Sequence, residues 1–325
     1  MGATSIEWTD FSINPIRARD KATGAVGHFC EKISAGCKNC YASRLQTRFN
    51  MHEFVASNRD KVECFLDESK LKEVLRRKKP TRYFWCDMTD MFGDWVPDEW
   101  IDKCFATMAL TPRHTHQVLT KRAERMKAYS SSEVAKRLLK VGRELARGHG
   151  ANLMNDAAVS LWPLPNVWKG VSVESQELAD ERIPLLLQTP AAVRFLSCEP
   201  LLGPVDLEPF LQYPPMHENY KMTFGVREWR GVDWVIVGGE SGHGARPMHP
   251  RWVRAIRDQC QDAGVSFFFK QWGEFISEQI KHVRFTAVHS GVPMDEPTSM
   301  FPVGKKAAGR LLDGREHNEF PESES

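Results

Sequence analysis

The sequence predicts an α/β protein built as a partial or complete TIM-like (β/α) barrel with about six to seven parallel strands. Short apolar runs alternate about six times with helical patterns, which is the order expected of parallel β/α units. The strand runs are apolar throughout instead of alternating with polar residues, as expected for strands covered on both faces. A chain of 325 residues is also compatible with one barrel that carries extensions.

The predicted strands are short apolar or aromatic runs bounded by polar and turn-forming residues. They are residues 6–16, 82–88, 114–119, 167–173, 192–198, 232–237 and 265–269.

The predicted helices lie between these strands, and their ends are marked by capping residues. Pro80 ends one helix, Ser130-x-x-Glu133 is a capping box, and Pro250 and Gly264 bracket the last helix. The predicted helices cover residues 42–50, 68–79, 98–110, 130–147, 176–187 and 250–263.

The predicted organisation is a barrel over residues 1–275 and a C-terminal extension with a polar tail over 276–325. The barrel begins with a cysteine-rich loop. It also contains an insertion at 208–231, which is too long for a routine connection and would serve as a lid or a partner surface.

Composition excludes several classes of protein. Apolar residues make up 42% and charged residues 26%, as in a soluble globular protein. The formal charge of +2 gives no global attraction to nucleic acid, so that partner is compatible with the charge but not indicated by it. No apolar run reaches the ~20 residues of a membrane span. Eight cysteines without an apolar N-terminal signal predict a cytoplasmic protein.

Three of the cysteines, Cys30, Cys37 and Cys40, lie within eleven residues in the pattern C-x6-C-x2-C. Such clustering indicates a metal centre, and three local thiols without an obvious fourth favour a centre with an open coordination position. A zinc site with His28 as the fourth ligand is the alternative. The three cysteines could also form a disulfide with one spare thiol, or simply pack as small apolar side chains. Packing is the role that we expect for the other five cysteines, Cys64, Cys86, Cys104, Cys198 and Cys260.

Polar residues follow six of the seven predicted strands, at the strand ends where the catalytic and binding residues of a barrel lie. A strand end also becomes polar simply because it meets water, but six such ends in series favour a functional rim. The residues are Asp87, Asp90, Lys121, Arg122, Glu174, Glu199, Glu240, Lys270 and Gln271.

The turn that contains Gly238, Gly239 and Glu240 follows a predicted strand. Glycine lacks a Cβ and tolerates positive φ, so a ligand's phosphate or nucleotide could approach this backbone closely. Arg246 follows and has two readings: it clamps a carboxylate or phosphate, or it forms a structural ion pair with Glu240.

The chain resembles a phage- and prophage-borne radical-SAM-like family, often called three-Cys-motif phage proteins, whose reaction is undefined. The resemblance extends over nearly the whole sequence. It is carried by C-x6-C-x2-C-Tyr41, by SIEWTD at 5–10, FLSCEPL at 195–201, VGGESG at 237–242, FKQWG at 269–273 and GKKAAGRLLDG at 304–314.

The resemblance implies that Cys30, Cys37 and Cys40 hold three irons of a four-iron four-sulfur cluster, with S-adenosylmethionine on the fourth. Strand-end carboxylates would then hold the methionyl amine or the ribose hydroxyls. The implied cofactor-binding residues are Asp87, Asp90, Glu174, Glu199, Gly238, Gly239, Glu240, Arg246 and Tyr41, and no catalytic residue is assigned.

Two features depart from the commonest radical-SAM motif, C-x3-C-x2-C with an aromatic residue before the third cysteine. The first arm here has six residues, and Asn39 takes the aromatic position, so Tyr41 would lie along the adenine instead. The implied partners are an electron donor and a phage-encoded protein, and the implied substrate is a nucleic-acid base or nucleotide. The alternative function is a zinc-binding barrel that acts as a hydrolase or partner-binding module.

Overall fold

The structure is a computed structural model that describes residues 2–130, 133–147, 162–211, 231–277 and 299–321. It divides into two compact units. Unit 1 comprises Met1–Val171 and Gln188–Val193, and unit 2 comprises Ser172–Leu187 and Arg194–Ser325. The predicted boundary at 275/276 stays a prediction. In the described part, no helix combines the length and apolarity that crossing a membrane requires.

The main sheet of unit 1 has the strand order β1-β2-β6-β7-β8, in which β1 is antiparallel to β2 and the later pairs are parallel. A second, antiparallel sheet has the order β4-β3-β5. The strands are β1 Gly2–Ala3, β2 Phe11–Ile13, β3 Ile16–Asp20, β4 Val26–Gly27, β5 Val62–Leu66, β6 Arg82–Trp85, β7 Thr115–Thr120 and β8 Val167–Ser172.

Among the described residues of unit 1, five α-helices accompany these strands. Two of them show their sequence signals plainly: α2 is capped by Asp67, whose side chain accepts from the Ser69 N–H, and α3 starts directly after Pro97. The helices are α1 Tyr41–Arg48, α2 Glu68–Arg76, α3 Asp98–Ala109, α4 Ala123–Tyr129 and α5 Val134–Arg147.

The described residues of unit 2 form three parallel strands in the order β9-β10-β11, and a small antiparallel pair β12-β13. The strands are β9 Val193–Cys198, β10 Trp234–Gly238, β11 Ser266–Gln271, β12 Phe275–Ser277 and β13 Met300–Pro302. The helices are α6 Gln176–Leu187, α7 Glu208–Leu211, α8 Pro250–Ala263 and α9 Lys305–Ala308.

The predicted α/β class is confirmed: in the described part of the chain, seven strands pair in parallel with a neighbour, namely β2 and β6–β11. Strand β10 is buried at every residue, as its continuous apolar run predicts. Helix α8 begins at Pro250 and ends before Gly264, whose φ of 68° fits a left-handed C-terminal residue.

Two sequence predictions about elements are corrected, and one sheet was missed. The helix predicted over 130–147 is present as α5 from Val134 to Arg147, whereas Ser130 ends α4 and its hydroxyl accepts from the Lys169 ammonium at 2.9 Å. Strand β6 ends at Trp85, three residues early, because Cys86 takes a φ of 63°. The β4-β3-β5 sheet was not predicted. Within the insertion 208–231, residues 212–230 lie outside the described residues.

Candidate metal and cofactor site

The cysteine loop of unit 1 is a tight turn that leads into a helix. Ala35–Cys37 form a 3₁₀ turn, and Cys40 immediately precedes α1. The Cys37 N–H donates to the Ser34 carbonyl at 3.0 Å, and the Cys40 N–H donates to the Cys37 carbonyl at 3.3 Å. The backbone thus fixes the C-x2-C pair at the N-terminus of α1, where the helix dipole favours negative charge.

The three thiols lie in one electrostatic neighbourhood. Burial raises the pKa of Cys30. The charges of Asp90, Cys40 and Cys37 raise this pKa to a smaller extent, whereas the charge of Arg122 lowers it. Cys30 and Cys40 both pack against the same small apolar cluster, formed by Ala42, Phe54 and Met88. Negative charge on any of these sulfurs therefore raises the cost of charge on the others, unless a cation is present.

Cys40 lies beside groups that would stabilise its thiolate form. Burial raises its pKa, but the backbone N–H groups of Ala42 and Ser43, in the first turn of α1, act in the opposite direction. The nearby Lys121 charge also lowers the pKa. The pKa of Cys40 nevertheless stays above its usual value, so a metal would have to replace the proton of this thiol on binding.

The zinc alternative requires a site for a single metal ion. Among the described residues, no three His, Cys, Asp or Glu side chains are placed to hold one metal ion. A zinc site would need His28 and the thiols to converge at about 2.0–2.3 Å from a single ion. A cubane cluster distributes its thiols over separate irons and does not require that convergence. The donor chemistry of the loop, three neighbouring thiols beside cationic groups, fits such a cluster.

His28 faces other surroundings. It lines a cavity of about 280 Å³ whose lining contains none of the three cysteines. Both ring nitrogens are buried and lack a satisfactory hydrogen bond in the described structure, while the His28 carbonyl accepts from the Gln46 amide at 2.9 Å. Burial, and then the charge of Arg17, lower the pKa of His28 to about 4. The imidazole is therefore neutral at physiological pH.

The exit of β6 is joined to the cysteine loop through Asp87. Tyr41, the first residue of α1, donates its hydroxyl to the Asp87 carbonyl at 2.8 Å and to the Asp87 carboxylate at 3.0 Å. The Asn14 amide donates to the other carboxylate oxygen. Cys86, just before, is a buried non-glycine residue in the left-handed region, an uncommon conformation that turns the chain sharply here.

Asp90 connects the exits of β6 and β7. Its carboxylate accepts from the Thr120 hydroxyl at 2.7 Å, from the Lys121 N–H at 3.1 Å and from the Arg122 guanidinium at 3.3 Å. It also accepts from the Phe92 N–H at 2.9 Å. Because Asp90 is buried and its oxygens are engaged by the protein, it positions Arg122 beside Cys30 and has little capacity left for a ligand.

In unit 2, the predicted rim residues form two kinds of ion pair. Glu199 pairs with Lys270 at 2.8 Å, and both side chains keep some solvent exposure. Glu174 is fully buried and accepts from Arg182 at 3.1 Å, so its carboxylate is used inside the protein. The sequence pattern did not reveal Arg182, since an arginine within a helix is ordinarily exposed.

The glycine pair serves packing within the protein. A Cβ on Gly238 would lie 2.5 Å from the Glu199 carboxylate, and one on Gly239 would lie 1.9 Å from the Trp272 carbonyl oxygen. Neither residue has a positive φ, and the close approach of a ligand to this backbone stays a prediction. The Arg246 guanidinium donates to the Glu240 carboxylate at 2.7 and 2.9 Å. Of the two roles considered for Arg246, the structure thus contains the ion pair with Glu240.

The remaining cysteines behave as expected for packing residues. All eight are free thiols. Cys86, Cys104, Cys198 and Cys260 are buried, while Cys64 is half-buried in β5. Cys30, Cys37 and Cys40 therefore form no disulfide in the described structure. Cys64 is a partly accessible thiol of the same unit and can serve as a control for them.

A family model described as a protein of unknown function (DUF5131) matches residues 3–321. No curated protein matches the sequence significantly. Among solved structures, a double mutant of spore photoproduct lyase with bound AdoMet and dinucleoside spore photoproduct has a TM-score of 0.38 and 9% identity, over 93% of this chain and 70% of that chain. A second mutant of that enzyme has a TM-score of 0.38 and 9% identity, over 93% and 71%. Similarities at these TM-scores establish neither fold nor activity.

Proposed function

We propose that this chain, which belongs to the DUF5131 family of proteins of unknown function, is a radical-SAM-type enzyme that holds a four-iron four-sulfur cluster on Cys30, Cys37 and Cys40. The observation that carries the proposal is the set of three thiols, close enough to interact electrostatically, in the loop that leads into α1. With S-adenosylmethionine bound at the fourth iron, the cluster would supply a deoxyadenosyl radical by reductive cleavage.

The protein's own residues would stabilise the negative charge of the ligands. The Ala42 and Ser43 N–H groups act on Cys40, and Arg122, held by Asp90, acts on Cys30. Buried groups interact more strongly than exposed ones because water screens them less. These contacts therefore favour thiolates in the loop once the cluster is in place.

Asp87 and Tyr41 are the residues that we assign to the cosubstrate in unit 1. Asp87 is held by two donors but retains lone pairs that can accept from an amine or a ribose hydroxyl. The Tyr41 ring is 55% exposed and is fixed by its hydroxyl, which leaves one face available for stacking on adenine. In unit 2, the Glu199 and Lys270 pair is the better candidate for a polar ligand than the fully buried Glu174.

The substrate that we propose is a nucleic-acid base or nucleotide. The reaction also needs an electron donor, and a phage-encoded protein is the further partner that we propose. The cytoplasm, a reducing compartment, is the proposed location, since free thiols persist there.

The test is reductive cleavage of S-adenosylmethionine by anaerobically reconstituted protein with dithionite as the reductant. We expect 5′-deoxyadenosine from the wild type and from Cys64→Ser, but not from Cys37→Ser. The control is matched because Cys64 is a free cysteine of the same unit that lies outside the loop. Equal yields from the wild type and Cys37→Ser, or no product from any of the three proteins, contradict the proposal.

A further inference from the structure

Helix α1 presents an unusual exposed face. Tyr41, Arg44, Leu45, Arg48 and Phe49 follow the spacing i, i+3, i+4, i+7 and i+8, which places them along one stripe. The opposite side of α1 buries small and polar residues. Phe49 is 69% exposed and Tyr41 is 55% exposed. The stripe therefore offers aromatic rings and guanidinium groups to the solvent at one-turn intervals.

Exposed apolar side chains are concentrated in this region. Among the described residues, six large apolar side chains are exposed, and all but Leu311 lie between positions 26 and 49. They are Val26, Ile33, Tyr41, Leu45 and Phe49. A contiguous exposed apolar patch marks an interaction site more often than scattered single residues do.

The same region concentrates positive charge. Residues 25–50 contain four Lys or Arg against one Glu, a net +3, while the whole chain has a net charge of only +2. Lys38 and Arg48 are exposed and make no ion pair within the described part of the chain. The global balance, which did not indicate nucleic acid, thus conceals a local basic and aromatic surface.

The cavity of about 280 Å³ opens among these residues. Its lining includes Val26, Leu45 and Phe49, together with the polar side chains of Arg17, His28 and Gln46. The volume is near the lower limit of ligand pockets, about 300 Å³, which suits one flat ring system rather than a whole nucleotide. Arg17, His28 and Gln46 thus place polar side chains in a lining that is otherwise largely apolar.

We infer that a single-stranded nucleic acid binds across the exposed face of α1 and places one base in this cavity. Phosphates would pair with Lys38 and Arg48, and a base would stack on Phe49. Interleaved aromatic and basic side chains are the pattern used for single strands, because every base has a π-face and every linkage has a charge. As a statement about substrate, the inference rests on the proposed function.

The experiment is fluorescence anisotropy of the reconstituted full chain with a labelled oligothymidylate of about twelve nucleotides, within the known site sizes. Phe49→Ala should weaken binding by about 5- to 150-fold, the effect of losing one stacked base. Arg48→Gln should reduce the slope of log affinity against log salt by about 0.7, the effect of losing one phosphate contact. An abasic oligomer should bind both the wild type and Phe49→Ala equally.

Two control variants remove similar groups elsewhere. Arg76→Gln removes an exposed arginine from the last turn of α2, as Arg48→Gln does from α1, and Leu311→Ala removes an exposed apolar side chain. Both should bind like the wild type. The inference is overturned if Phe49→Ala and Arg48→Gln also bind like the wild type, or if the controls lose as much affinity.

Failure of the two proposals can be told apart. Cys37→Ser, which should lose the cluster, should still bind the oligonucleotide. Cleavage of S-adenosylmethionine without oligonucleotide binding overturns this inference alone and would be expected of a protein-docking face. Binding without a cluster or cleavage overturns the proposed function alone.

Discussion

The buried imidazole of His116 should make the stability of unit 1 dependent on pH. His116 lies in β7 and is fully buried. The Trp85 indole N–H donates to its Nδ1 at 3.0 Å, so Nε2 carries the proton and donates to the Thr111 hydroxyl at 3.0 Å. Burial, followed by the charge of His114, lowers the pKa of His116 from 6.5 to about 3. The folded state therefore holds a neutral ring.

The sign follows from proton binding. Between pH 6.5 and about 3, the unfolded chain binds a proton at His116 that the folded chain does not, so the free energy of unfolding decreases as the pH falls. At pH 5 this one group lowers the free energy of unfolding by about 2 kcal/mol relative to pH 8. The loss saturates below pH 3, where both states are protonated.

The assay is urea unfolding followed by tryptophan fluorescence at pH 8 and pH 5, for the wild type and His116→Asn. Asparagine offers an acceptor and a donor but does not titrate, so the other histidines contribute equally to both proteins. We expect the decrease in unfolding free energy from pH 8 to pH 5 to be about 2 kcal/mol smaller in the variant. An identical decrease in both proteins would refute the reasoning, whatever the absolute stability of the variant.

Two further predictions concern unit 2. Arg182→Leu leaves the buried Glu174 carboxylate without its partner and should lower the free energy of unfolding in urea by about 3–5 kcal/mol. Adding Glu174→Leu to this variant should recover much of the loss. Equal stability of the single and the double variant would contradict this prediction. Gly239→Ala places a Cβ 1.9 Å from the Trp272 carbonyl oxygen and should cost about 1–3 kcal/mol or more, while Gly203→Ala, with open space around it, should be tolerated. Similar melting temperatures for the two alanine variants would contradict the packing argument.

The parallel strands could be predicted because their signal is local. Continuous apolar runs such as β10 identify buried strands without knowledge of their neighbours. The β4-β3-β5 sheet carries no such signal. Strand β5 is exposed or half-buried after Val62, and it pairs with β3 more than forty residues earlier. Its strand conformation depends on that distant partner, which sequence periodicity does not show.

The candidate site was predictable in its residue types but not in its pairings. The clustering of Cys30, Cys37 and Cys40 identified the loop from spacing alone. The sequence did not indicate that the Asp90 carboxylate would be hydrogen-bonded by Thr120, Lys121 and Arg122. Nor did it indicate that Glu174 would form an ion pair with Arg182. These bonds join separate elements, which the sequence pattern does not show. A carboxylate at a strand end is equally compatible with ligand binding and with structural pairing.

The central claim is that the three-cysteine loop holds an iron-sulfur cluster with one open position. The most direct measurement is a count of iron and acid-labile sulfide in anaerobically purified and reconstituted protein, beside Cys37→Ser and Cys64→Ser. We predict about four irons and four sulfides per chain in the wild type and in Cys64→Ser, with a large loss in Cys37→Ser. One zinc per chain without sulfide, or full iron content in Cys37→Ser, would contradict the account.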